Sequence, residues 1–141
     1  MKVLILCTGN SCRSQMAHGF IKSFDNRIHV ESAGTEASGK LNQQAVQVMK
    51  ELDIDISDHQ SDSVEKFLQE EWDIVITVCG GANEACPAFT GQVKTRLHIG
   101  FDDPSEAEGT EEFIQSEFIR VRDGIKDAFY QLYLEQIKPH L

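Results

Sequence analysis

Cys7 and Arg13 stand with five residues between them, and Ser14 follows at once, in the run Cys7-Thr8-Gly9-Asn10-Ser11-Cys12-Arg13-Ser14. These residue types suit nucleophilic attack on a tetrahedral oxyanion. Backbone N–H groups of a short loop can converge on one anion, and Gly9 permits the backbone angles this needs. Arg13 offers a planar fork that matches two oxygens of such an anion. The same positive field is expected to lower the Cys7 thiol below its ordinary value of about 8.5. Ser14 is placed to hydrogen-bond the thiolate or pass it a proton. The bland alternative is a structural cysteine after a strand with an arginine nearby by accident. The cysteine-to-arginine spacing alone is weak; the strand before it, the helix after it and the glycine inside it strengthen the catalytic reading.

An acid and two further thiols complete the reactive set. Asp103 precedes Pro104, and proline holds its predecessor extended, which suits a loop presenting a carboxyl. A general acid there is worth roughly 10²–10⁴-fold in rate. Asp102 is the weaker candidate, and a solvated Asp-Asp-Pro turn is the plain alternative. Phosphate transfer needs nothing beyond Cys7, Arg13 and an acid, which leaves Cys79 and Cys86 to explain. Thiol exchange needs Cα atoms roughly 4.4–6.8 Å apart, so the Cys79–Cys86 segment would have to rearrange. Metal binding and incidental burial are the competing readings. Six intervening residues with only His98 nearby is not a usual zinc spacing.

The elements that position these groups follow from periodicity. Residues 2–6 read as a buried strand, and Met16, Ala17, Phe20, Ile21 and Phe24 mark a helix over about 13–24. A strand over 28–33, a helix over 42–52, a helical stretch over 62–69 and a strand over 72–78 follow. Residues 79–87 read as a glycine-punctuated loop and 93–98 as a last strand. A helix over 111–137 carries Phe113, Phe118, Val121, Ile125, Phe129, Leu132 and Tyr133 on its inner face. Strands alternating with helices imply an α/β fold with a parallel sheet covered on both faces. Ligands of such sheets bind beyond the carboxyl ends of the strands, where Cys7 and Cys79 both fall. His29, His59, His98 and His140 show no spacing that marks a site and read as surface or core filler, and Trp72 reads as packing.

Composition narrows the partners. With 23 acidic against 13 basic residues the formal net charge is −10, which argues against nucleic acid or an anionic membrane as partner. An anionic substrate must then be drawn by local N–H groups and Arg13. No apolar run approaches the length of a membrane span. Met1-Lys2 leads straight into a strand and the reactive loop, so the chain reads as mature and cytoplasmic. Four cysteines in such a compartment point to catalysis, redox work or metal binding rather than a structural disulfide.

Cys7 through Ala17 resembles the phosphate-binding loop of the low-molecular-weight protein tyrosine phosphatase family. It most resembles the arsenate reductases that share that scaffold and draw electrons from thioredoxin. Ser32-Ala33-Gly34-Thr35 and Asp102-Asp103-Pro104 match two further motifs of the family, and the resemblance runs in order along essentially the whole chain. It implies one domain over residues 1–141: a three-layer α/β fold with a four-stranded parallel sheet flanked by helices. It implies arsenate as substrate, Asp103 protonating the leaving oxygen, and a relay in which oxidation passes from Cys7 to Cys79 to Cys86 and on to thioredoxin. It also implies an oxyanion loop of Thr8, Gly9, Asn10, Ser11, Cys12 and Arg13, with no obligatory role for Cys12. Related reductases hold potassium through an asparagine matching Asn10 and a glutamate where this chain has His18. An imidazole is a poor potassium ligand, so that site is not expected here, and neither is another metal or cofactor. Ser105-Glu106-Ala107-Glu108 replaces the tyrosine pair of related phosphatases, which favours a small inorganic anion over a phosphotyrosine ring. A phosphatase acting through a Cys7 phosphocysteine is the second reading, and a non-catalytic oxyanion or redox sensor the third. A monomer is the default expectation.

Overall fold

The computed structural model describes residues 1–141. Four parallel strands, β1 (Lys2–Cys7), β2 (His29–Gly34), β3 (Trp72–Thr77) and β4 (Val93–His98), form one sheet in the order β2-β1-β3-β4. Side chains of a strand alternate between faces. Val3, Leu4, Ile5 and Leu6 are all 0 % exposed, so protein covers both faces of β1. Four α-helices, α1 (Arg13–Phe24), α2 (Gln43–Lys50), α3 (Gly80–Ala85) and α4 (Glu111–Leu132), alternate with the strands. Helices α1, α2 and α4 pack on one another, and α3 rests on β1 and β3.

Local signals set the boundaries. Asn42 caps α2, its Oδ1 accepting the Gln44 and Ala45 N–H groups at 2.9 and 3.1 Å, and Thr110 caps α4 by accepting the Phe113 N–H. The first turn of α1 has no side-chain cap, because Cys12 stands at its N-cap. Gly34 ends β2 where a Cβ would lie 2.5 Å from the Thr8 carbonyl oxygen, so only glycine lets β2 pass under the reactive loop.

Three expectations are corrected. Residues 80–85 form a short helix rather than an open loop. The stretch 62–69 is helical only as a 3₁₀ turn over Val64–Phe67. Phe113 is 49 % exposed and not part of the inner face of α4. Five residues before Phe118, it is rotated about 140° around the helix from the buried stripe. Beyond Leu132 the chain winds into a π turn at Tyr133–Ile137 that seats Ile137 in the core.

The order β2-β1-β3-β4 places the topological switch between β1 and β3, since the chain goes to one side of β1 for β2 and to the other for β3. A crevice opens beyond the carboxyl ends of strands at such a point. β1 ends there in Cys7 and β3 leads there into Cys79, with the Val78 N–H donating to the Leu6 carbonyl at 2.9 Å.

Candidate active site

The loop after β1 is held by its carbonyls. Cys7 O accepts from Thr35 N–H, Thr8 O from Glu36 N–H, Gly9 O from Ser38 N–H, Ser11 O from Asn42 N–H and Cys12 O from Met16 N–H, all at 2.9–3.1 Å. Asn10 O accepts from Gln15 Nε2 at 3.0 Å. The C=O and N–H of a trans peptide point in opposite directions. Carbonyls pulled outward along the whole loop therefore turn its N–H groups inward, and those of Gly9, Asn10, Ser11 and Cys12 donate to no backbone acceptor. Asn10, and not Gly9 as expected, adopts the left-handed conformation, at φ 51°, that closes the turn; asparagine is one of the few residues that does so readily. Its side chain is fixed on both sides: Nδ2 donates to Ser14 Oγ at 2.8 Å and Oδ1 accepts the Asp62 N–H at 3.0 Å. The result is an anion cradle made of backbone.

Arg13 opens α1 at the rim. Its Nη1 donates to the Phe101 carbonyl at 3.0 Å and its Nη2 lies 3.5 Å from Asp103 Oδ2. Asp103 also caps its own 3₁₀ turn, its Oδ1 accepting from Ser105 N and Oγ, so one carboxylate oxygen is anchored and the other faces the arginine. Asp102 turns away to Arg120 on α4, at 3.2 Å and largely exposed.

Cys7 and Cys79 are both buried, and Cys79 Sγ lies 3.3 Å from Thr8 Oγ1, in the residue next to Cys7. Burial pushes the Cys7 thiol up and outweighs Arg13, and the neighbouring Cys79 sulfur raises it further. Burial thus opposes the lowering expected of the cradle, while Arg13 and the Thr8 backbone act in the expected direction. For Cys79 burial is the largest single influence and opposes ionisation. Donors from the Thr8 hydroxyl and the Ala82 N–H, with Cys7 and Arg13 behind them, together bring the Cys79 thiol below its ordinary value. Cys79 stands at the N-cap of α3, where the helix N-terminus favours a thiolate.

Other residues have more limited places. Ser14 is fully buried and bonds to Asn10, not to the Cys7 sulfur, so it braces the loop rather than the thiolate. Cys12 is buried and pushed up to about 12 by burial, with Asp103 adding to the effect, and stays a thiol. Cys86, half-buried at the C-cap of α3, borders a cavity of about 390 Å³ with Thr77, Asn83, Arg96 and His98. His98 is no filler: its Nδ1 lies 2.8 Å from Thr77 Oγ1, which in turn contacts Asn83 of α3.

His18 and His59 stack with ring centroids 4.2 Å apart, and burial holds the His18 imidazole neutral with its value lowered to about 3. Asn10 Oδ1 is taken by an N–H and His18 offers nitrogen, a donor set that does not fit potassium, a hard cation preferring several oxygens. His59, read from sequence as filler, meets Gln15 Oε1 at 3.0 Å. No sequence spacing signals that contact, because the partners lie 44 residues apart.

The low molecular weight phosphotyrosine protein phosphatase family matches residues 2–140. The chain belongs to that family. Relatives called arsenate reductase include those of Halalkalibacterium halodurans, 51 % identical over 124 residues and 87 % of this chain against 88 % of the relative, and of Staphylococcus aureus, 44 % identical over 133 residues, 94 % of this chain and 95 % of the relative. A solved arsenate reductase in a phosphate-binding state superposes with a TM-score of 0.80 at 33 % identity, covering 95 % of this chain and 97 % of the other. A low molecular weight protein tyrosine phosphatase from T. tengcongensis superposes at 0.75 with 25 % identity, covering 96 % and 99 %. Cys79 lies against the cradle through Thr8, and Cys86 lies at the opposite end of α3. No helix is long and apolar enough to cross a membrane.

Proposed function

We propose that the protein reduces arsenate to arsenite as a single cytoplasmic domain, through the relay Cys7–Cys79–Cys86, with thioredoxin as electron donor. The observation that carries this reading is the pairing of β1 with β3, which sets a second buried thiol, Cys79, against the Cys7 loop, its sulfur 3.3 Å from Thr8 Oγ1.

Arsenate entering the cradle displaces Arg13 from Phe101 and takes the guanidinium itself. The Cys7 proton passes to the arsenate, Cys79 stays a thiolate, and Cys7 Sγ attacks arsenic. An As–S bond forms and an As–O bond breaks, Asp103 giving the proton that lets water leave. Cys79, as thiolate, then attacks the Cys7 sulfur. The S–S bond forms, the As–S electron pair stays on arsenic, and arsenic(V) becomes arsenic(III). Cys86 attacks Cys79, freeing the Cys7 thiolate, and thioredoxin supplies the two electrons that reopen Cys79–Cys86. No metal or organic cofactor takes part.

The last exchange requires α3 to unwind. Cys79 and Cys86 cap its two ends, and seven helical rises separate their Cα atoms by about 10.5 Å, beyond the reach of a disulfide. A six-residue helix beginning Gly80-Gly81 has little intrinsic stability, so opening it costs little.

Family membership and the Cys7–Arg13–Asp103 set also favour hydrolysis of activated aryl phosphates as a side activity. Arsenate-dependent NADPH consumption with thioredoxin and its reductase decides the main reading. Wild type turns over and Cys86→Ser falls by orders of magnitude while still hydrolysing p-nitrophenyl phosphate; a Cys86→Ser enzyme as fast as wild type overturns the relay.

A further inference from the structure

Five of the six carbonyls that shape the cradle are held by backbone N–H groups, which no substitution other than proline removes. The sixth, Asn10 O, is held by a side chain, Gln15 Nε2 at 3.0 Å. Gln15 is fully buried in the first turn of α1. Its second amide hydrogen goes to the Gln60 carbonyl at 2.9 Å, so Oε1 is the acceptor that meets His59 Nδ1 at 3.0 Å. That assigns the proton of neutral His59 to Nδ1. His59 is fixed in turn by stacking on His18, whose own Nδ1 lies 2.9 Å from Ser32 Oγ of β2.

We propose that Gln15, oriented by His59, is a positioning residue for oxyanion binding: it clamps the Asn10–Ser11 peptide so that the Ser11 N–H faces the anion. The inference rests on the Cys7 loop being the oxyanion site. Asn10 is the loop residue with left-handed backbone, and its peptide is the one the backbone ladder leaves ungripped. Without the Gln15 amide, the Asn10 carbonyl loses its donor and the peptide is free to turn over, trading an inward N–H for an inward C=O that repels the anion.

Gln15→Glu tests the clamp, because a carboxylate has no hydrogen to give Asn10 O and a carboxylic acid has one. His59 meets Gln15 directly, and the cavity on the far side of His59 and Gln60 carries the charged and titratable groups Asp58, Asp62 and Lys66 from the segment after α2, His18 and Lys22 on α1, and His29 and Glu31 on β2. The probe is inorganic phosphate, its dissociation constant read from protection of Cys7 against iodoacetamide and followed by mass of the Cys7 peptide. At pH 8 the variant binds phosphate about tenfold more weakly than wild type, the cost of one lost bond to the anion. The ratio to wild type shrinks as pH falls and the new carboxyl protonates, a trend that loss of packing alone does not give. His59→Leu weakens phosphate several-fold with kcat less affected, and His59→Asn, which restores an N–H, recovers it. A pH-independent ratio, phosphate affinity unchanged in His59→Leu, or His59→Asn as weak as His59→Leu overturns the clamp. Failure of phosphate to protect Cys7 in wild type instead overturns the oxyanion site itself.

Discussion

Thr8 Oγ1 lies 3.3 Å from Cys79 Sγ, joining the cradle after β1 to the thiol after β3. The contact couples the site that grips the anion to the sulfur that follows Cys7 in the proposed relay. Gly81 keeps the space for it, since a Cβ there would stand 2.9 Å from the same hydroxyl. Thr8→Val removes the donor and keeps the shape. The Cys79 thiol then rises toward its ordinary value, and less of it is ionised at neutral pH. We expect arsenate reduction to fall about tenfold at pH 7 and to recover part of that as pH rises, with aryl phosphate hydrolysis nearly unchanged. The pH dependence of Cys79 alkylation, followed by mass spectrometry, checks the cause; an unshifted profile refutes it.

The two adjacent aspartates separate cleanly. Asp103 faces Arg13 while Asp102 sits in solvent with Arg120. Asp103→Asn should lower kcat by about 10²-fold or more, and Asp102→Asn should stay within about twofold, the value of an exposed ion pair. Parallel kcat measurements on both variants decide; equal losses would mean that the loop as a whole, not one carboxyl, matters.

His18 makes the fold acid-sensitive. Its value is lowered from 6.5 to about 3, so the unfolded chain takes up the proton first as pH falls. The stability it contributes is fully present above pH 6.5 and is lost progressively between 6.5 and about 3. His18→Gln should flatten that part of the urea midpoint against pH, at some cost to stability at pH 7. Should the variant's curve fall as steeply as wild type across that range, the acid sensitivity lies elsewhere.

Gly34→Ala places a methyl group 2.5 Å from the Thr8 carbonyl. The loop must move, so we expect a loss of about 1–3 kcal/mol in stability together with weaker phosphate binding. Calorimetry with and without phosphate measures both; an alanine variant that binds phosphate normally would show that the cradle tolerates displacement.

Much of this was legible in the sequence because it is local. β1, α1 and the loop between them lie within the first 24 residues, and an unbroken apolar run followed by helical periodicity declares them. The short helix α3 was not legible: Gly80 and Gly81 open it, and six residues give too little periodicity to separate helix from loop. The acidity of the thiols escaped for a different reason. Arg13 is visible from Cys7 in the chain, whereas the Thr8 and Ala82 donors to Cys79 exist only once β1 and β3 are side by side. The Gln15–His59 contact is equally non-local, and neither residue type advertises it.

A grip built almost wholly from peptide groups has an evolutionary corollary. Away from the few residues that brace the loop, such as Asn10, Gln15 and Gly34, side chains around it can be exchanged without dismantling the hold on the anion, so new chemistry requires only new groups at its edge. In the proposed relay, one such group is Cys79, brought to the loop's edge by the pairing of β1 with β3. Proteins called arsenate reductase and proteins called tyrosine phosphatase superpose on this one chain, the pattern expected when the inherited part is the path of the backbone and the adaptable part is its rim.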